Sequence, residues 1–308
     1  MLEPELIYAD LDLIVVNKPA GMPAHEAKHA TDATLVDWLL ERFPEIKDVG
    51  DIRPADAIPV ANAVEPPVVS RVEPYRPGIV HRLDKLTSGV MVIARNQESF
   101  LRLKELFQKR QVEKTYCALV CGDIKVARGV IEEQLGRLKS SPTKVGVQGA
   151  RGGGIKNPKE AVTEYTVRER FTPLETAPAL APLEVPASAG QSSLNDLPLT
   201  GLARPEGLWG GLSLTGFTGA TLLEVLPKTG RMHQIRVHLA SIGHPVAGDT
   251  IYGGKNVCFK ELGRYFLHAA TLSFAFREGQ ALSFSAELPP ELQNLLDKLR
   301  GQRLAASV

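Results

Sequence analysis

The sequence lacks most of what would mark a secreted, membrane-embedded or cofactor-dependent protein. No apolar run reaches the roughly 18 residues that a membrane-spanning helix needs. The start, Met1-Leu2-Glu3-Pro4-Glu5, is acidic and has no basic segment followed by an apolar one, so no secretory signal is expected. Cysteine is scarce: Cys117, Cys121 and Cys258 are an odd number in 308 residues, which predicts free thiols, a reducing compartment and a cytoplasmic protein. There is no charge excess, with 36 Lys and Arg against 35 Asp and Glu. A neutral total does not suggest a nucleic-acid protein, yet it leaves one open, because binding needs a basic face rather than a basic sum.

Motif absences narrow the chemistry. No Gly-x-x-x-x-Gly-Lys-Ser/Thr phosphate loop and no strand-borne Gly-x-Gly-x-x-Gly occurs, and Gly152-Gly153-Gly154 lies in a polar stretch better read as flexibility. No His-Glu-x-x-His zinc pattern is present. His233 and His238 are five apart on an expected helix and do not share a face, and Cys117 and Cys121 have no partner pair. No Gly-x-Ser-x-Gly elbow exists, and no repeat of fixed period. No metal and no cofactor are therefore expected.

What is present is a chain rich in short strands. Apolar residues make up 44%, enough for a packed core. Leu6 to Asn17 reads as two strands around Asp10-Leu11-Asp12. Thr34 opens a helix with Leu35, Trp38, Leu39 and Phe43 on one face. Asn96 caps a second, running to about Lys109. Strands are expected at 90–94, 112–120, 130–133, 161–169 and 221–226, with 139–158 a polar, basic loop. Met232 to Ile242 reads as a helix with Ile235, Leu239 and Ile242 inward and Gly243 as its C-terminal cap. Residues 272–276 and 282–286 form a hairpin, and Pro290 starts a terminal helix. Strands outnumber helices and cluster in hairpins, which points to an α+β fold with a large, mainly antiparallel sheet. Two proline-rich stretches without period, 45–75 and 171–214, read as mobile insertions.

The chemistry-bearing residues left are a carboxylate and arginines. In Arg76-Pro77-Gly78-Ile79-Val80-His81-Arg82-Leu83-Asp84-Lys85-Leu86-Thr87-Ser88-Gly89, Asp84 lies between two short strand signals. Asp84 follows Arg82 by two residues, so a local ion pair is the plain alternative. Arg236 could belong to a solvated helix face, although Gln234-Ile235-Arg236-Val237-His238 mixes polar and apolar residues too closely for a simple stripe. Tyr116, on an expected strand, would by itself be core.

Together these stretches resemble the RluA-type pseudouridine synthases. The blocks that carry the resemblance are 9–22 with its Lys18-Pro19-Ala20-Gly21 loop, His81-Arg82-Leu83-Asp84 with Thr87-Ser88-Gly89, and Val112-Glu113-Lys114-Thr115-Tyr116. They continue with 229–238, Gly248-Asp249 with Tyr252-Gly253, and Leu267-His268-Ala269. The order matches over most of the chain outside the two insertions. Leu86 and Met232 depart from the family's usual residues, at positions that are not catalytic.

The resemblance implies the family's fold, a mixed, mainly antiparallel sheet flanked by helices with an active-site cleft across its middle, formed here by one catalytic domain over 1–308 without an N-terminal S4 RNA-binding module. It implies conversion of uridine in rRNA or tRNA to pseudouridine, a redox-neutral isomerisation without cofactor or metal, by a monomer away from membranes. It makes Asp84 the nucleophile, with attack on the sugar, attack on the base or prior elimination all open. It pairs Arg236 with Asp84, packs Tyr116 on the target base as a candidate general base, and has Arg82 fill the gap left by a flipped-out uridine. Leu267 would line the base pocket. His81, Arg231, Gln234 and Lys85 are further candidate RNA contacts, with Lys228, Lys109, Arg110 and the 139–159 loop as phosphate contacts. An RNA-binding relative without catalysis is the alternative. A general hydrolase is disfavoured because no second acid or metal is placed to activate water.

Overall fold

Strands β2 (Leu13–Lys18) and β3 (Ser88–Ala94) are runs of Leu, Ile, Val and Met buried nearly throughout, so both faces of the sheet must be covered where they lie. The computed structural model describes residues 2–25, 33–51, 76–141, 143–149, 154–172, 219–277 and 279–305. Over these the chain forms a ten-stranded sheet. β1 (Glu5–Ala9) pairs with β2, and β2 with β3, both antiparallel. β4 (Val112–Cys121), β5 (Arg128–Leu138), β6 (Val145–Val147), β7 (Ile155–Phe171) and β8 (Ala220–Pro227) form a second antiparallel set in the order β4-β8-β7-β5-β6. β9 (Leu267–Arg277) joins the two sets and carries β10 (Gln280–Ser285) at its far end.

The join is short. β3 and β9 run parallel, and only Ser88–His268 and Gly89–Ala269 are in register. Gly89, at φ +121°, is required there: a Cβ would overlap the Ala269 carbonyl oxygen. Ser88 and the His268 imidazole lie 2.9 Å apart across the seam.

Four helices cover the sheet. α1 (Leu35–Arg42) starts in a capping box, with Thr34 accepting from Asp37 and Asp37 accepting from the Thr34 amide. α2 (Gln97–Gln108) is capped by Asn96. α3 (Gln234–Ser241) lies beside the cleft, and α4 (Pro290–Ala305) closes the chain. The apolar cluster under α1 and α2 is built on β2, β3 and the outer half of β9. Separate clusters form under α3 and α4.

The expected strands are present and mostly longer. Residues 139–158 are not one loop. Val145 is buried and starts β6, which pairs with Leu135–Arg137, and Ile155 opens β7. A three-residue strand is too short to show a period. Ile242 is 39% exposed, because α3 ends before it and the chain turns at Gly243. At the front of the first proline-rich stretch, Pro44–Asp48 forms a 3-10 turn with Ile46 fully buried. Of the two proposed insertions, 52–75 and 173–214 lie outside the described residues.

Two of the three cysteines are not free. Cys121, at the end of β4, and Cys258 form a disulfide, with Cα atoms 5.8 Å apart and 137 residues between them in sequence. Sequence spacing could not foresee this, since the chain returns to β4 only after β8 and α3. The expectation of a reducing compartment loses its basis. Cys117 remains a free thiol, half-buried and pushed up to about 11 by burial. Among the described residues no helix is long and apolar enough to cross a membrane.

Candidate active site

The loop before β3 is clamped at both ends. The Gly78 amide donates to Val49, and the Gly78 carbonyl accepts from Ala94. At φ +67° a Cβ on Gly78 would overlap the Ala94 carbonyl, so only glycine lets the loop leave the sheet here. Thr87 donates its amide to the Asp84 carbonyl at 3.1 Å, closing a turn that lifts the Asp84 side chain into the cleft. From below, the fully buried Lys18 reaches the carbonyls of Pro19, Met22 and Lys85 at 2.8, 2.9 and 3.3 Å. Burial, with Arg264 adding to it, pulls the Lys18 ammonium down to about 7.

The opposite wall is α3. Gln234 to Leu239 are all buried, so this short helix has no solvated face. Its polar residues bond inside the protein instead, although the buried His238 Nε2 has no partner among the described residues. Gln234 accepts from the Thr229 hydroxyl and the Arg231 amide, and donates to the Val162 carbonyl and the Thr163 hydroxyl. The His238 ring meets the Thr163 hydroxyl at 2.8 Å. Arg236, 3% exposed, donates from Nε and Nη2 to the two oxygens of Asp249 at 2.6 and 3.0 Å, and from Nη1 to Asp84 Oδ2 at 3.2 Å. Its guanidinium also stacks on Tyr265 at 4.1 Å and Tyr252 at 5.0 Å. Burial works against the Arg236 charge, but the Asp249 bond and the two carboxylates more than offset it, and the proton is held more firmly than in water.

Asp84 is therefore gripped on one oxygen. Arg236 Nη1 at 3.2 Å and the Tyr265 hydroxyl at 3.3 Å both donate to Oδ2, and His233 Nε2 lies 3.9 Å from that same atom. Oδ1 has no such partner among the described residues. With the Asp84 side chain 18% exposed, Oδ1 is the oxygen open to a ligand.

Tyr116, at a register shift where β4 meets β9, lies in the cleft near Asp84. Burial, then the Asp84 charge, raises its phenol above the ordinary range. Its hydroxyl has no hydrogen-bond partner among the described residues. Leu267 lines the cleft at the start of β9. Arg82 is exposed at the cleft and is not paired with Asp84, so the local ion pair does not form. His81 accepts the Val92 amide on Nε2 at 3.1 Å and stacks on Phe107 at 4.6 Å, and burial drops its pKa to about 3. It is a neutral ring tied to the sheet, with a face in the cleft. Arg231 lines the cleft while Nε donates to the Glu160 carbonyl. Gln234 reaches the cleft wall, but its side-chain bonds are spent inside the protein. Lys85 is exposed and does not line the cleft. Lys109 also lies outside it, paired with Glu105 at 2.5 Å.

The cleft holds about 680 Å³ and is strongly positive. Arg76, Arg82, Arg110 and Lys114 line one side, and Arg137, Lys228, Arg231 and Arg236 the other. Asp84 is the one carboxylate among the lining residues. Lys228 is paired with Glu164 and Arg236 with Asp249 behind the lining, and the remaining cations around one lining carboxylate make a basic face suited to a polyanion in a chain of net charge +1.

Residue-by-residue reading missed Asp249, Tyr265, Lys18 and the His233–Tyr252 pair. Asp249 and Tyr252 lie in a recognised block, but nothing local marks their partners. Tyr265 is 181 residues from the carboxylate it touches.

Similarity to known proteins agrees with this arrangement. The RNA pseudouridylate synthase family model matches residues 12–241. An uncharacterized RNA pseudouridine synthase of Aquifex aeolicus is 34% identical over 251 residues, which are 82% of this chain and 56% of that protein. The chain thus spans little more than half the length of that relative. Ribosomal large subunit pseudouridine synthase D of Nitrosomonas europaea is 29% identical over 303 residues, 96% of this chain and 65% of that one. Among solved structures, human RNA pseudouridylate synthase domain containing 1 superposes with a TM-score of 0.60 at 23% identity, covering 97% of this chain and 95% of that one, which supports the fold. With the model spanning both walls of the cleft, from the Asp84 loop to α3, the chain belongs to the RNA pseudouridylate synthase family.

Proposed function

We propose that the protein isomerises uridine in structured rRNA or tRNA to pseudouridine, with Asp84 as nucleophile. The observation that carries this reading is the lone cleft carboxylate, held on Oδ2 by a buried arginine and a tyrosine, with Oδ1 free inside a ring of cations. The cations bind the RNA backbone, and Arg82 occupies the gap from which the uridine is turned out. Oδ1 attacks the uridine, at the sugar or at the base, and the C–N glycosidic bond breaks. The freed uracil turns, a bond forms between C5 and the sugar C1′, the bond from Oδ1 breaks to restore the Asp84 carboxylate, the C5 proton leaves and N1 takes one up. Atoms and electrons balance without an outside reagent.

Arg236 donates to Asp84 Oδ2 and holds the carboxylate in position. Tyr116 packs on the base. In the free site its phenol stays protonated, partly because the Asp84 charge opposes a second anion.

Tritium release from RNA carrying 5-tritiated uridine tests the reaction. The enzyme is expected to release tritium from rRNA or tRNA, and Asp84→Asn to abolish release while RNA binding survives. RNA binding by the wild type with no release from any cellular RNA would overturn the enzyme reading.

A further inference from the structure

His233 lies in the 229–238 block, which gives it no role, and faces the reaction centre. Its backbone is left-handed, φ +56°, at the N-cap of α3, which is uncommon for a residue with a side chain. That conformation turns the ring into the cleft, 17% exposed, with Nε2 3.9 Å from Asp84 Oδ2. Behind it, Nδ1 lies 2.7 Å from the Tyr252 hydroxyl, and that hydroxyl accepts the Val145 amide of β6 at 3.1 Å.

The Val145 amide can only donate, so it takes one acceptor site of the Tyr252 oxygen. The remaining bond of that hydroxyl, to His233 Nδ1, uses the Tyr252 proton when Nδ1 is the acceptor. In that arrangement the proton of the neutral ring sits on Nε2, toward Asp84. We propose that His233 is a positioning residue of the reaction centre, held by Tyr252 as the neutral Nε2–H tautomer and donating to Asp84 Oδ2 when RNA closes the 3.9 Å gap. This inference rests on Asp84 being the nucleophile. A third donor on Oδ2, after Arg236 and Tyr265, leaves Oδ1 as the attacking atom.

The charged and titratable groups that face the ring are Asp84 and Arg82 from the loop, Arg236 on α3, and Asp249 and Tyr252 beyond it. Burial lowers the His233 pKa, Asp84 and Asp249 oppose that, and the two arginines reinforce it. Protonating Nδ1 at acid pH breaks the bond from Tyr252 and puts a further cation against the nucleophile. Protonation of His233 is therefore expected to contribute an acid limb to the kcat profile.

Two readouts test this. Long-range nitrogen–proton NMR of the free enzyme is expected to show His233 as the Nε2–H tautomer at neutral pH, titrating below an ordinary histidine. Tyr252→Phe removes the donor to Nδ1, so the titration and the acid limb both move to higher pH. His233→Asn, which tolerates the left-handed backbone, is expected to remove that limb and lower kcat about 10- to 100-fold with KM nearly unchanged. An Nδ1–H tautomer, or pH profiles in both variants that overlay the wild type, would overturn the proposal. The NMR result is read without turnover, so a failure of the His233 assignment is separable from a failure of the proposed reaction.

Discussion

Arg236 serves two carboxylates with different consequences, and Asp249→Ala and Asp84→Asn should separate them. Asp249 is 1% exposed and Arg236 3%, joined by two bonds of 2.6 and 3.0 Å. Removing one member of a buried pair strands the other, at a cost of about 3–5 kcal/mol. Asp249 Oδ1 also accepts the amides of Ile251 and Tyr252 at 3.0 and 3.2 Å, and each lost bond adds about 1 kcal/mol. The surviving contact from Arg236 Nη1 to Asp84 returns part of this, so a net loss of about 4–6 kcal/mol is expected for Asp249→Ala. That is a large part of a typical total of roughly 5–15 kcal/mol. At ~2–4 °C per kcal/mol, the melting temperature should fall by roughly 8–24 °C. Asp84→Asn keeps an oxygen for Arg236, whose charge stays paired with Asp249, so its stability should change by about 1 kcal/mol or less while turnover is lost. Differential scanning calorimetry and tritium release on both variants provide the comparison. An Asp249→Ala protein melting within about 2 °C of wild type, or an Asp84→Asn protein as destabilised as Asp249→Ala, would refute the division of roles.

Lys18 supplies a pH test. Its folded pKa is about 7 against an ordinary 10.5, so between these values the unfolded chain binds the extra proton and stability from this group rises with pH. Urea unfolding should show the wild type gaining on Lys18→Met by up to about 1.4 kcal/mol per pH unit above pH 7, and parallel curves would show that the three carbonyls hold the ammonium charged. The disulfide closes a loop spanning 137 residues, worth about 5 kcal/mol by chain entropy. Reductant should therefore lower the melting temperature of the wild type, and the Cys121→Ala/Cys258→Ala double variant should melt lower and no longer respond. Arg137→Ala should leave the melting temperature unchanged and reduce the slope of log K against log salt for RNA binding by about 0.7–0.9, the loss of one phosphate contact.

Much of the architecture was legible because β2, β3 and the hairpins carry periods that local chemistry dictates, and the caps at Thr34 and Asn96 announce their helices. The Asp84–Arg236 pairing was legible only through the family blocks. Nothing within either segment specifies a contact across 152 residues. The residues that went unseen share that trait. Tyr265 acts on Asp84, 181 residues away, Lys18 reaches the Lys85 carbonyl, 67 residues away, Asp249 meets Arg236 only where the chain turns back after α3, and Cys121 and Cys258 meet only when β4 and the chain after α3 come together. α3 misleads for a different reason. Its polar residues suggest water outside, yet each is matched to a buried partner, so a helix without an apolar stripe is still a core helix.

The narrow seam between β3 and β9 bears on how the molecule acquires activity. One apolar cluster spans the seam, built on β2, β3 and the outer half of β9, and a second lies beyond it under α3. Asp84 belongs to one side, and Arg236, Tyr265 and Asp249 to the other. The chain must therefore close its longest loops before the carboxylate meets its arginine, and long closures are slow. During refolding, strand signal and compactness should return first, with catalysis recovering only when the two sides dock. Activity in this fold is thus a clock for the last step of folding, and a partly folded chain is silent toward RNA chemistry even with most of its sheet in place.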